Sequence, residues 1–187
     1  LILNNPYLIK WYGQNMDVND IKTQGIPIGL ENKCWNNTNF LTIQNNINKV
    51  KNKLLYINFS TKSNKKRSIL LKNLLKNGFK KNNKLPWELY ISDLSNYKFA
   101  ISPAGNGVDC HRTWECLYLN VIPIILKSNQ MNYFNNLPIL FVNTFDDITP
   151  EYLEKAYYSF FKNKIFNTNM LHIDFWERKM IQDFKMS

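Results

Sequence analysis

The chain has 187 residues, 44% hydrophobic and 14% aromatic, with a formal net charge of +10. Such a composition fits a globular domain long enough to bury a core, and excludes disordered and collagen-like chains. No run of about 18 apolar residues and no secretory leader pattern occurs, so no membrane span is expected in this segment. The chain opens at Leu1 rather than a methionine, and so reads as a piece of a longer protein.

The basic balance invites a nucleic-acid partner. Much of the lysine, however, lies beside asparagine in polar tracts at 45–53, 62–67 and 76–84, which is how a solvated surface reads. A basic nucleic-acid-binding domain is kept as the alternative of another class; it requires lysines on one face with interleaved aromatics. Three cysteines, Cys34, Cys110 and Cys116, form no CxxC pair and leave an odd count. They support neither a disulfide framework nor a zinc site, and favour a reducing, cytoplasmic setting. The N-x-S/T triplets at Asn36 and Asn58 are chance matches in an Asn-rich chain.

Residues 1–25 are a poorly defined lead-in, where Leu8, Ile9, Trp11 and Tyr12 fit an edge strand or a short helix. Ile26 to Leu30 is a brief apolar run with a glycine in it. Phe40, Ile43, Ile47 and Val50 recur at helical spacing and predict a helix over 38–51. Leu54 to Phe59 reads as a central strand, followed by the polar loop Ser60 to Ser63. A helix over 65–76 follows, burying Ile69, Leu70 and Leu74 and stopping at Asn77-Gly78. Pro86 opens another helix, to about Tyr97. Strands are expected at 98–101, 121–126 and 137–142, with a helix over 113–119 between the first two. Thr149-Pro150-Glu151 starts a helix to about 162, and 174–184 reads as a last amphipathic helix. Strands alternating with helices over short connections predict a mostly parallel sheet with helices on both faces, in one domain over 1–187.

The stretch from Ser102 to Glu115 carries the chemistry. A strand, the turn Gly105-Asn106-Gly107 and a helix N-terminus make the usual place for an anion in an α/β protein. The glycines are expected to supply unusual backbone angles and close approach to a ligand. The turn lacks the third glycine of a dinucleotide fingerprint and the G-K-[ST] of a P-loop. His111 and Glu115 are four apart on one helix face, with Arg112 beside them. Asp109, His111 and Arg112 at the helix start would serve phosphate, and Glu115 one turn deeper would accept from ribose hydroxyls. The same residues also fit a plainer arrangement, with Asp109 capping the helix and His111–Glu115 a surface pair.

Phe99 to Gly107, Arg112-Thr113-Trp114-Glu115-Cys116-Leu117 and Val121-Ile122-Pro123-Ile124-Ile125 together resemble the C-terminal half of exostosin-like glycosyltransferases. The shared pattern is a Pro-x-Gly turn, an Arg three residues before a Glu, and a closing apolar strand with proline. It is strongest over 86–145. The resemblance implies a Rossmann-like parallel sheet flanked by helices, one half of a GT-B architecture. It also implies a nucleoside-diphosphate sugar as donor, transfer to an acceptor hydroxyl of a sugar, protein or glycan, and an N-terminal domain of the same longer chain as partner. By carry-over, Arg112 and His111 stabilise the departing diphosphate, Glu115 holds the ribose, and Ser102, Gly105, Asn106, Gly107 and Asp109 line the donor site. Ser60 resembles part of a donor loop, and Arg67 a second phosphate-binding arginine, although an exposed helix-start arginine fits it equally. No Asp-x-Asp occurs, so metal-independent transfer without a cofactor is expected, with no general base in this chain. A binding-only relative that has lost catalysis is the nearer alternative. The sequence departs from the pattern at Ala104, where arginine is usual, at Asn120, where glycine ends the helix, and at Cys116, a packing residue in place of alanine.

Overall fold

The computed structural model describes residues 2–32, 39–163 and 166–186; Cys34 and the triplet at Asn36 lie outside them. Strands β1 (Trp11–Gly13) and β2 (Thr23–Gly25) form a small parallel pair. Strands β3 (Lys53–Tyr56), β4 (Tyr97–Ile101), β5 (Ile122–Leu126) and β6 (Leu140–Val142) form an all-parallel sheet in that spatial order. Its register pairs Leu55 with Phe99, Ala100 with Pro123 and Ile124 with Leu140. Pro123 has no N–H to give, yet β5 is otherwise the near-continuous apolar run Ile-Pro-Ile-Ile-Leu that a strand covered on both faces calls for.

The helices are α1 (Phe40–Gln44), α2 (Lys65–Lys76), α3 (Trp87–Leu94), α4 (His111–Tyr118), α5 (Pro150–Asn163) and α6 (Ile173–Lys185). On one face of the sheet, Leu70 and Leu74 of α2 and Leu153 of α5 pack on Leu55, Phe99, Ile101 and Ile124. On the other, Ile91 and Leu94 of α3 and Cys116 of α4 pack on Tyr56 and Ala100. Trp114 and Leu117 continue that layer to Ile125, Phe134 and Trp176 of α6. Each such side chain contributes about 1.5–3 kcal/mol when fully buried. The outcome is a small α/β domain of parallel sheets flanked by helices, Rossmann-like in its general arrangement.

Five local expectations change. The helix expected from Pro86 to about Tyr97 ends at Leu94, and Tyr97 opens β4 instead. The helix predicted over 38–51 is only Phe40–Gln44. Asn46 turns its amide back to the Thr42 carbonyl at 2.7 Å, the asparagine habit of competing with the helix for backbone partners. β3 ends at Tyr56 rather than Phe59, because Ile57 pairs with Asn82 instead of a strand. The Asn82 N–H donates to the Ile57 carbonyl at 2.7 Å and the Ile57 N–H to Asn82 Oδ1 at 2.9 Å. β6 begins at Leu140, past Pro138, which has no N–H for a ladder. Ile69 is 62% exposed, on the outer side of α2 from Leu70 and Leu74.

One connection positions the site. Between β3 and β4 the chain lays α2 on one face and α3 on the other. Residues 77–86 therefore pass round the β3 edge, where Asn82 occupies backbone groups that an edge strand would otherwise leave open.

Candidate functional site

A cavity of about 890 Å³ opens beyond the carboxyl ends of β3 and β4, where parallel α/β sheets receive ligands. Glu31 and five further segments wall it. Ser60 and Lys62 follow β3, Arg67 comes from α2, residues 81–85 run along one side, Trp87 and Tyr90 come from α3, and His111, Arg112 and Glu115 from α4. The i, i+4 spacing of His111 and Glu115 does put both on the cavity side of α4.

Glu115 is only 6% exposed and is fixed by two donors from α3. Trp87 Nε1–H donates to Oε1 at 3.0 Å and the Tyr90 hydroxyl to Oε2 at 2.7 Å. Each carboxylate oxygen retains a lone pair, since two acceptor sites per oxygen are available. Burial, and then Glu115 itself, push the Tyr90 phenol well above its ordinary range, so the hydroxyl stays a donor.

Arg112 lies beside the pair, its guanidinium 5.9 Å from the Tyr90 ring centroid. Its Nε is buried with no hydrogen-bond partner among the described residues. Burial works against its charge, but neighbouring Tyr90 and Glu115 outweigh it and raise the guanidinium above its usual value. A charged fork with an unused buried N–H, against a cavity wall, is equipped to take an oxyanion.

Arg67 is 8% exposed and engaged at all three nitrogens, not an exposed helix-start residue. Its Nε donates to the Ala104 carbonyl at 2.9 Å and Nη2 to the Pro103 carbonyl at 2.7 Å. Nη1 reaches the Ser60 carbonyl at 3.1 Å and Ser63 Oγ at 2.9 Å. It ties the Ser60 loop to the turn after β4. None of these four acceptors is a carboxylate, so its charge remains to act on the cavity.

The glycine turn plays a different part from the one expected. Neither Gly105 nor Gly107 has a positive φ, and neither they nor Ser102, Asn106 and Asp109 line the cavity. The Gly105 N–H is spent on the Gly107 carbonyl at 2.9 Å. A Cβ on Gly105 would stand 3.0 Å from Arg67 Nη2, and one on Gly107 2.9 Å from Asn15 Oδ1. The close approach that the glycines permit is therefore by Arg67 and Asn15. Asp109, 3% exposed, accepts from the Ile28 N–H at 2.8 Å and from Trp114 Nε1–H at 2.7 Å. Burial raises its pKa, against the pull of those donors. The N-cap position is Cys110, so Asp109 does not cap α4. Ser102 Oγ, buried, sits 3.0 Å from Thr113 Oγ1 and 3.2 Å from Cys110 Sγ. Asn106 is exposed at the tip of the turn.

Cys116 is wholly buried, and burial pushes its thiol up, in keeping with packing rather than nucleophilic duty. Among the described residues no group of three or more His, Cys, Asp or Glu is placed to hold a metal.

The sequence reading missed Trp87, Tyr90 and residues 81–85. The aromatic pair at i, i+3 just after Pro86 was a legible signal of one shared face; the Lys/Asn segment carried none. A scan of protein-family models and a search of curated proteins gave no match to this chain.

Proposed function

We propose that the chain is the donor-binding half of a GT-B glycosyltransferase, taking a nucleoside-diphosphate sugar in this cavity and passing the sugar to an acceptor hydroxyl. The observation that carries the reading is Arg112, a half-buried cation whose Nε–H is buried and unpartnered beside a held carboxylate. Ligand chemistry with both a polyanion and hydroxyls suits that pair: Arg112 for the diphosphate, Glu115 for the ribose. The cavity lining holds five cationic side chains, Lys62, Arg67, Lys81, Lys84 and Arg112, against two carboxylates, Glu31 and Glu115. That excess favours an anionic ligand. The motif resemblance over 99–125 supplies the reaction class and the expected second domain. In transfer, the acceptor oxygen bonds to the anomeric carbon and gives its proton to a base supplied from outside this chain. The bond from that carbon to the phosphate oxygen breaks and its electron pair leaves on the diphosphate, where Arg112 and Arg67 offset the new charge.

Calorimetric titration with UDP, GDP and the matching nucleosides tests it. Wild type is expected to bind at least one diphosphate. Arg112→Ala is expected to weaken that diphosphate about 10–100-fold, the scale of a lost hydrogen bond to a charged group, while barely changing the nucleoside. Glu115→Gln should weaken diphosphate and nucleoside alike. Failure of every nucleoside diphosphate to bind would sink the proposal, and equal losses for both ligands in Arg112→Ala would remove Arg112 from its phosphate role.

A further inference from the structure

We propose that an anion entering this cavity takes up a proton with it, and that the proton is received by His111 Nε2. The inference rests on the anion-binding reading above and goes beyond it by fixing a protonation step to one atom. His111 Nδ1 stands 2.8 Å from the Gly29 carbonyl oxygen. A carbonyl only accepts, so the hydrogen in that contact is on Nδ1. Neutral imidazole carries a single N–H, which leaves Nε2 with a lone pair, and the side chain lines the cavity.

A fully ionised phosphate offers lone pairs only. Against a neutral Nε2 it meets repulsion; against a protonated Nε2 it gains a charge-assisted hydrogen bond. The surroundings decide which state the ligand calls for. Arg112 and Glu115 stand on the same helix, Cys110 and Asp109 in the turn before it, and Glu31 in the segment that supplies Gly29. From across the cavity come Lys62, Arg67, Lys81 and Lys84, with the Tyr90 phenol on α3. Without ligand, cations outnumber carboxylates in the lining. A diphosphate brings about three negative charges, which cancel that excess and remove what opposes a further positive charge at Nε2, so the proton and the anion bind together. The Nδ1–H bond to Gly29 holds the ring throughout, and the resulting imidazolium adds a sixth cation to the five that line the cavity.

The probe is UDP or GDP, whichever binds, titrated at pH 8, roughly two units above the second ionisation of a phosphate ester (~6). Binding enthalpies in Tris and in HEPES, whose ionisation enthalpies differ, give the number of protons taken up. Wild type is expected to approach one proton and to lose affinity towards tenfold per pH unit between pH 7.5 and 8.5. His111→Asn keeps an N–H for the Gly29 carbonyl but has no basic nitrogen, and should take up almost none. Binding without uptake in wild type, or equal uptake by His111→Asn, overturns this inference and leaves the donor-site reading standing. No binding of either nucleotide overturns both. Long-range ¹H–¹⁵N spectra of the ligand-free protein supply a separate check: the Nδ1–H tautomer is expected, and an Nε2–H tautomer removes the premise.

Discussion

Arg67 and Arg112 serve one cavity in different company, and substitution should separate them. Arg67 satisfies the carbonyls of Ser60, Pro103 and Ala104 with a single rigid fork, geometry that a lysine cannot reproduce. Arg67→Met would strand three acceptors and is expected to cost about 2–4 kcal/mol of stability, from unmade bonds to a charged group. Arg67→Lys should recover only part of it. Chemical denaturation of both variants measures the difference, and a loss under about 0.5 kcal/mol for Arg67→Met would mean that the fork is not what joins the Ser60 loop to the turn. The sequence shows Arg67 only as a basic residue near a helix start. Its burial depends on the turn at Pro103, more than thirty residues away, and no local pattern encodes that. The glycines mislead for the same reason: their chemistry is permissive, and whether a ligand or an arginine exploits the space is a tertiary matter.

At the scale of the element, α4 presents the cavity residues, and its end is set by a residue that few helices use there. Asn120 adopts φ 56°. The Val121 N–H returns to the Cys116 carbonyl at 2.9 Å and the Asn120 N–H to the Leu117 carbonyl at 3.2 Å, the paired bonds of a Schellman ending. α2 ends in the same way with Gly78 at φ 89°, its following Phe79 N–H reaching the Leu74 carbonyl at 3.1 Å. Asparagine tolerates the left-handed region, where a Cβ-bearing alanine loses about 1–2 kcal/mol. Asn120→Ala is therefore expected to destabilise by about 1 kcal/mol, and Asn120→Gly to be neutral or slightly stabilising; thermal melts of the pair check the order, and an alanine variant as stable as glycine would contradict it. These endings were legible because caps are written in consecutive residues. So were α2 itself and the alternation that produced the parallel sheet. The length of β3 was not, since Ile57 finds its partner in Asn82 rather than in a strand, and the short α1 was not, since apolar spacing over 40–50 outvoted three asparagines.

For the molecule as a whole, the two ends of the described chain are held together by one small cluster. β1 and β2 are three residues each, too short to stand alone. Gly25 admits the Tyr133 ring so closely that a Cβ there would come within 2.5 Å of it. Tyr12 on β1 donates its hydroxyl to Asp183 on α6, and Lys179 lies 3.4 Å from the same carboxylate. α6 in turn sends Trp176 into the core, where its Nε1–H donates to the Met170 carbonyl at 2.9 Å. The Tyr12 bond and, less strongly, Lys179 hold the Asp183 carboxyl below its usual range despite partial burial. Burial and Asp183 raise the Tyr12 phenol, so the donor keeps its proton. A folded-state pKa below the unfolded value (~3.9) gives stabilisation that is complete above the ordinary carboxylate range and disappears as pH falls through the folded value. Asp183→Asn is accordingly expected to lower Tm by about 2–4 °C at pH 7, the shift that ~1 kcal/mol makes in a chain of this size. The gap should narrow as pH falls below the ordinary carboxylate range and through the lowered folded value, where wild type loses the same charge. A gap that stays undiminished down to the acid unfolding of the chain would show that shape rather than charge holds α6 to β1. Loss of the Trp176 indole N–H signal at acid pH, ahead of the main melting of the sheet, would locate the first opening at this seam.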